Sequence, residues 1–285
     1  MNPAPIDLRL SSGSLRALRW GDGSGSAVVC VPGLSANARS FDAIAARLAA
    51  GGRQVTALDL RGRGFSPATR AGTYGWKRHA EDVLEAARQL GLPSFDLIGH
   101  SMGAFVSLQA AALDPDRIRR LVLVDGLGVP EHAVIPPILA AVQRLGATYP
   151  SPEAYCDLIR SHGASVPWEF WQAHYLYDLE PVPGGVRPRT SLAAVLEDVA
   201  WGARHDASLF WKTLRAPALL VRATRLLLPG TGLVVGAALR DAFLRAVPTA
   251  EVAEVDANHY GVMAHPDSLQ AIDDFLAHPP PPPHR

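Results

Sequence analysis

Phe95-Asp96-Leu97-Ile98-Gly99-His100-Ser101-Met102-Gly103-Ala104-Phe105-Val106-Ser107-Leu108-Gln109-Ala110-Ala111 is the stretch that decides the fold. A short apolar run leads in, a helix-like apolar run leads out, and the pattern G-x-S-x-G stands between them. A serine on so sharp a strand-to-helix turn sits in a strained backbone with its hydroxyl projecting. Side chains two positions to either side would collide with the turn, and glycine at 99 and 103 relieves that crowding. Elsewhere these five residues would be an ordinary glycine-containing loop. Their place between a strand and a helix makes Ser101 a candidate nucleophile.

Working outward, apolar runs recur with helical patterns between them. Ile6 to Leu10 and Ser14 to Arg19 alternate as an antiparallel strand pair would. Ala27 to Val31, Val55 to Asp59, Leu121 to Val124, Leu219 to Val221 and Glu251 to Val255 read as further strands. Helical spacing of apolar residues spans 41–48 and 80–90. Such alternation implies an α/β chain, a doubly wound and mostly parallel sheet with helices on both faces. The rhythm breaks between 126 and 208, where prolines at 130, 136, 137, 150, 152, 181 and 183 accompany helix-length apolar stretches. The expected organisation is a core over 1–125 and 209–277, an inserted helical cap over 126–208, and a disordered proline-rich tail over 278–285.

Composition excludes several function classes. The 285 residues carry 27 Lys plus Arg against 27 Asp plus Glu, so no global field favours nucleic acid or an anionic membrane surface. A small-molecule partner is expected, with no nucleic acid and no membrane; oligomeric state is left open. No apolar stretch reaches about 18 residues and no basic-then-apolar leader opens the chain, which suggests a cytoplasmic protein. Cys30 and Cys156 have no metal-type spacing and read as two buried thiols. The glycines of Asp22-Gly23-Ser24-Gly25-Ser26 precede a strand, whereas a dinucleotide fingerprint follows one and opens a helix. No H-E-x-x-H or comparable cluster occurs, so neither metal nor cofactor is expected.

With Ser101 in its turn, the chain resembles the α/β-hydrolase family from about Ile6 to Ala277. Pro32-Gly33-Leu34-Ser35, after the strand at 27–31, is similar to the family's oxyanion loop. Asp59-Leu60-Arg61-Gly62-Arg63-Gly64-Phe65-Ser66 is similar to its D-x-R-G-x-G-x-S loop. Glu254 to Tyr260 resembles the late strand-to-loop segment that carries the catalytic histidine. The resemblance implies an oxyanion hole made by the backbone N–H groups of Leu34 and Met102.

A serine hydroxyl is a weak nucleophile near neutral pH, so it needs a base, and the base needs a carboxylate to hold its tautomer. His259 follows the last strand and is the candidate base. The acid is less direct. In most family members it follows the strand after the cap, but here Thr224 to Gly230 contain no carboxylate. Some members take it from the end of the strand after the nucleophile helix, and here that residue is Asp125, 24 residues past Ser101. Functional groups gather at such carboxyl ends. Asp241 and Asp256 are the alternatives.

The expected activity is hydrolysis of carboxylic esters, lactones among them, through an acyl-enzyme. Serine as nucleophile argues against the family's aspartate-using dehalogenases and epoxide hydrolases. Three other readings stay open: a carbon–carbon bond hydrolase with the same triad, a cofactor-free dioxygenase using His259 and Asp125, and a non-catalytic ligand receptor. In the cap, Trp168, Phe170, Trp171, Tyr175 and Tyr177 cluster at helical spacing. Such aromatics more often pack a cap onto a core than line a site. Trp168, Trp171 and Tyr175 are the candidates for substrate contact.

Overall fold

A computed structural model describes residues 2–22 and 25–277. The centre of the sheet is built from β5 (Phe95–His100) and β6 (Ile118–Val124), near-continuous apolar runs of the kind that parallel strands buried on both faces require. Beside β5 lie β3 (Ala27–Val31) and β4 (Gln54–Leu58), both parallel to it. Beside β6 lie β9 (Ala218–Ala223) and β10 (Glu251–Val255), also parallel. The pair β1 (Ala4–Leu10) and β2 (Gly13–Trp20) completes eight strands in the order β1-β2-β4-β3-β5-β6-β9-β10. Only β2 runs against both of its neighbours.

Successive residues of a strand face opposite ways, and two hydrophobic layers result. Leu97, Leu121 and Leu123 face one layer, covered by α2 (Trp76–Gln89), α3 (Met102–Leu113) and α8 (Ala237–Ala246). Ile98, Val122 and Val124 face the other, covered by α1 (Asp42–Ala50) and α9 (Pro266–Ala277). Helix α2 buries Ala80, Val83, Leu84 and Ala87, the i, i+3, i+4, i+7 stripe of a surface helix. Helix α3 is buried almost all round, as suits the helix that follows the nucleophile turn.

Between β6 and β9 the chain leaves the sheet. It forms α4 (Ile135–Val142), α5 (Pro152–Ser161), α6 (Trp168–Tyr177) and α7 (Leu192–Gly202). Contrary to an all-helical reading, it also forms a hairpin of β7 (Leu179–Val182) and β8 (Gly185–Pro188). Pro181 and Pro183 deny a helix its N–H donors, and Gly184 and Gly185 turn the chain at φ 90° and 142°, open to glycine.

Asp59 ties this layer to the core. It is fully buried and accepts hydrogen bonds from Ala38 N (2.7 Å), Phe65 N (2.9 Å) and the Tyr177 hydroxyl (2.9 Å). Gly64, at φ 51°, comes so close to that carboxylate that a Cβ there would overlap it. The D-x-R-G-x-G-x-S loop is thus a brace: Ser66 Oγ donates to the Asp59 carbonyl at 2.6 Å, and Arg61 forks onto Asp82 at 2.8 and 2.7 Å.

Cys30 and Cys156 are free, buried thiols. Among the described residues no helix is long and apolar enough to cross a membrane. The proline-rich tail at 278–285, and Gly23 and Ser24 of the early glycine loop, lie outside the described residues.

Candidate active site

Ser101 links β5 to α3 at φ 56° and ψ −122°, a conformation that costs a non-glycine residue roughly 1–3 kcal/mol. Its N–H donates to Val124 O (3.0 Å) and its carbonyl accepts from Ala104 N (2.9 Å), so both sides of the turn are tied down. The glycines explain themselves sterically. A Cβ at Gly99 would strike the Gly103 carbonyl, one at Gly103 the Val31 carbonyl, and one at Gly126 the Ser101 carbonyl. Gly33 passes the elbow where a Cβ would stand 3.2 Å from Ser101 Cβ.

Asp125 ends β6 in the second strained position, φ 43°, next to the elbow strand. Its N–H donates to Val221 O at 2.8 Å, and its Oδ1 accepts from Ala223 N at 3.1 Å. The strand that carries the acid in most family members supplies a peptide N–H here. Oδ2 lies 2.8 Å from His259 Nδ1, with Asp125 buried and His259 nearly so. An ionised Asp125 accepting from Nδ1–H leaves Nε2 of His259 with a free lone pair. The two alternative acids are elsewhere: Asp241 pairs with Arg240 on α8, and Asp256 with Arg225 at 2.6 Å on the surface.

The loop that carries His259 is held by Asn258, whose Oδ1 accepts from Gly261 N at 2.8 Å and whose Nδ2 donates to Ala164 O at 3.0 Å. His100 stacks on the His259 ring, centroids 4.6 Å apart, with its Nε2 3.2 Å from the His259 carbonyl. Burial, with the neighbouring imidazole, holds His100 well below the usual imidazole range, so it stays neutral beside His259.

Ser101, His259, His100 and Leu34 line one cavity. The Leu34 N–H has no hydrogen-bond partner among the described residues, and Met102 N–H is the first of α3, unsatisfied within the helix. Two free donors of this kind, with the positive end of the helix dipole, suit a developing oxyanion. The Leu34 carbonyl accepts from Arg63 Nε (3.1 Å) and Nη2 (3.0 Å), which anchors the loop from below.

Trp171 and Tyr175 of α6 reach this cavity, Trp171 through a hydrogen bond from Nε1 to Tyr260 O at 3.3 Å. Trp168 is not part of its lining. Its ring stacks on Tyr175 at 6.0 Å with Arg160 over it, because it lies a full turn earlier on the helix. Two lining residues escaped the sequence reading: Arg144, just past α4, and His174 of α6. Burial, with Arg144 and Arg39 nearby, pushes His174 down to about 3, so this second imidazole is also neutral. No group of three or more metal-ligating side chains occurs among the described residues.

With this geometry in hand, comparison with known proteins is direct. A family model described as the alpha/beta hydrolase fold matches residues 26–153. The 2-(acetamidomethylene)succinate hydrolase of Mesorhizobium japonicum is 28% identical over 256 residues, 89% of each chain. A solved structure of E-2-(acetamidomethylene)succinate hydrolase superposes with a TM-score of 0.87 at 26% identity, covering 97% of this chain and 100% of that one. The N-formylmaleamate deformylase of Pseudomonas putida is 42% identical over 110 residues, 38% of this chain and 40% of the deformylase. Sheet order, nucleophile turn and these likenesses agree, and the chain belongs to the α/β-hydrolase family.

Proposed function

We propose that this hydrolase works by acyl transfer, with Ser101 as nucleophile, His259 as base and Asp125 as the residue that orients the base. The observation that carries the reading is the convergence of a strained, glycine-cleared Ser101 with a His259 whose Nδ1 is 2.8 Å from a buried carboxylate, both lining one cavity. His259 Nε2 takes the Ser101 proton as Oγ attacks the carbonyl. The Leu34 and Met102 N–H groups meet the oxyanion, His259 returns the proton to the leaving group, and water repeats the sequence on the acyl-enzyme. A carboxylic ester, open-chain or lactone, is the simplest substrate for such a site, since its alkoxide leaves readily. Small-molecule turnover suits a cavity of this size.

A second reading has its own support. The relatives above are named for an acetamido compound and an N-formyl compound, so carbon–nitrogen cleavage with the same residues is the alternative to the ester. Initial rates on a short-to-long series of 4-nitrophenyl esters, beside acetanilide and formanilide substrates, separate the two. Ser101→Ala is run at equal concentration throughout. Ser101-dependent ester turnover is expected, at least about 10³-fold above the variant. Rates that do not fall in the variant would end the serine mechanism.

A further inference from the structure

We propose that Arg144 is the anchor for a free carboxylate on the substrate, so that the enzyme acts on acyl compounds that carry an acid group besides the bond it cleaves. The inference rests on the acyl-transfer reading of the same cavity. Arg144 is half-buried in the cavity wall, and its partners differ from those of the chain's buried arginines. Arg61 is paired with Asp82, Arg63 with Asp198, Arg120 with Asp96 and Arg222 with Glu254. Arg144 has no carboxylate within 4.0 Å among the described residues. Its contacts are all neutral: Nε donates to the Tyr155 hydroxyl at 3.1 Å, Nη1 to Ala141 O at 2.6 Å and Nη2 to Ser35 Oγ at 3.2 Å. The guanidinium also lies over the Tyr175 ring, 5.7 Å from its centroid.

Three of five N–H donors are therefore engaged, and one remains on each terminal nitrogen, the pair with which a guanidinium forks onto a carboxylate. A half-buried charge held only by neutral groups gains from an anionic partner. The protein supplies nothing. The cavity lining contains no Asp or Glu, its two spare histidines are neutral, and Asp178, within electrostatic reach of Arg144, lies beyond contact distance and is pushed up to about 7 by burial. Arg144 shares the lining with Ser101, and its partner Ser35 is the residue after Leu34. A carboxylate bound there sits in the same cavity as the carbonyl under attack.

The test compares 4-nitrophenyl hydrogen succinate with 4-nitrophenyl butyrate, matched in chain length but differing in charge. The readout is the ratio of their kcat/KM values. The wild type is expected to favour the charged ester by about 10- to 100-fold, Arg144→Met to abolish that ratio, and Arg144→Lys to restore part of it. A wild type without preference, or a ratio unchanged in an Arg144→Met enzyme that still cleaves the butyrate ester, overturns the assignment; if Arg144→Met loses both esters by misfolding, Arg144→Lys gives the readout, and a ratio it leaves at the wild-type value overturns the assignment too. If neither ester is turned over, the ester reading fails separately. Calorimetry with succinamate on Ser101→Ala then decides: binding weakened at least 10-fold by adding Arg144→Met upholds the anchor, and binding that is absent or indifferent to Arg144 refutes it.

Discussion

Asp125 holds its carboxylate by three attachments: its own N–H on Val221, the Ala223 N–H on Oδ1, and His259 on Oδ2. Asp125→Asn keeps the Oδ1 acceptor for Ala223 and withdraws the acceptor from Nδ1–H. The expected cost is about 10⁴ in kcat at neutral pH with the fold intact; a variant within tenfold of wild type would place the acid elsewhere. At this scale the sequence was informative where local chemistry narrows the options. Ser101 needed its two glycines, and Asp125 stood out because residues 224–230 hold no carboxylate. Arg144 and His174 carried no such signal. Arg144 meets Ser35 across 109 residues of chain, and its missing carboxylate is visible only after folding.

Helix α7 is joined to the proposed oxyanion loop, residues 32–35, through one buried charge cluster. Its Asp198 is contacted by Arg63 Nη2 at 2.5 Å, His79 Nε2 at 2.9 Å and Gly75 N at 2.7 Å, and Arg63 in turn holds the Leu34 carbonyl. None of the three side chains Arg63, His79 and Asp198 is exposed. Asp198→Asn removes the one carboxylate, among the described residues, that pairs with the buried Arg63 guanidinium, so a loss of about 3–5 kcal/mol is expected in urea denaturation. Because Arg63 also fixes Leu34, kcat should fall in the fraction that stays folded. A stability loss below about 1 kcal/mol would show that the cluster is not the tie it looks like. Helix α2 was legible from its period, and the central strands from their unbroken apolar runs. The hairpin β7-β8 was not, although Pro183-Gly184-Gly185 between two short runs is a turn signal; a segment expected to be helical concealed it. Trp168 was misplaced for a related reason, since helical spacing gives a shared face but not which part of that face reaches the site.

Over the whole molecule, stability should depend on pH through carboxylates buried without a partner cation in contact. Burial pushes Asp178 up to about 7, against hydrogen bonds from Thr190, and Asp59 up to about 6. Both folded values exceed the unfolded value of about 3.9, so the folded state favours the proton. The resulting stability is complete below about pH 4 and is lost as pH rises through 6 and 7. Asp198, lowered to about 2 by His79 and Arg63 against its own burial, acts oppositely: its contribution is present above about pH 4 and disappears as pH falls toward 2. Asp178→Asn keeps the acceptor for Thr190 N and Oγ1. Melting curves should therefore coincide with wild type near pH 4 and lie several degrees higher by pH 8, of order 2–4 kcal/mol. Parallel curves across that range would dismiss Asp178 as the source. The placement of Asp125 on β6 has one more result. Strand β9 gives the site only backbone groups, the Val221 carbonyl and the Ala223 N–H, which any residue but proline provides. The proposed relay therefore asks no acid of the turn at 224–230, and an engineer can rewrite the side chains of that turn without rebuilding it.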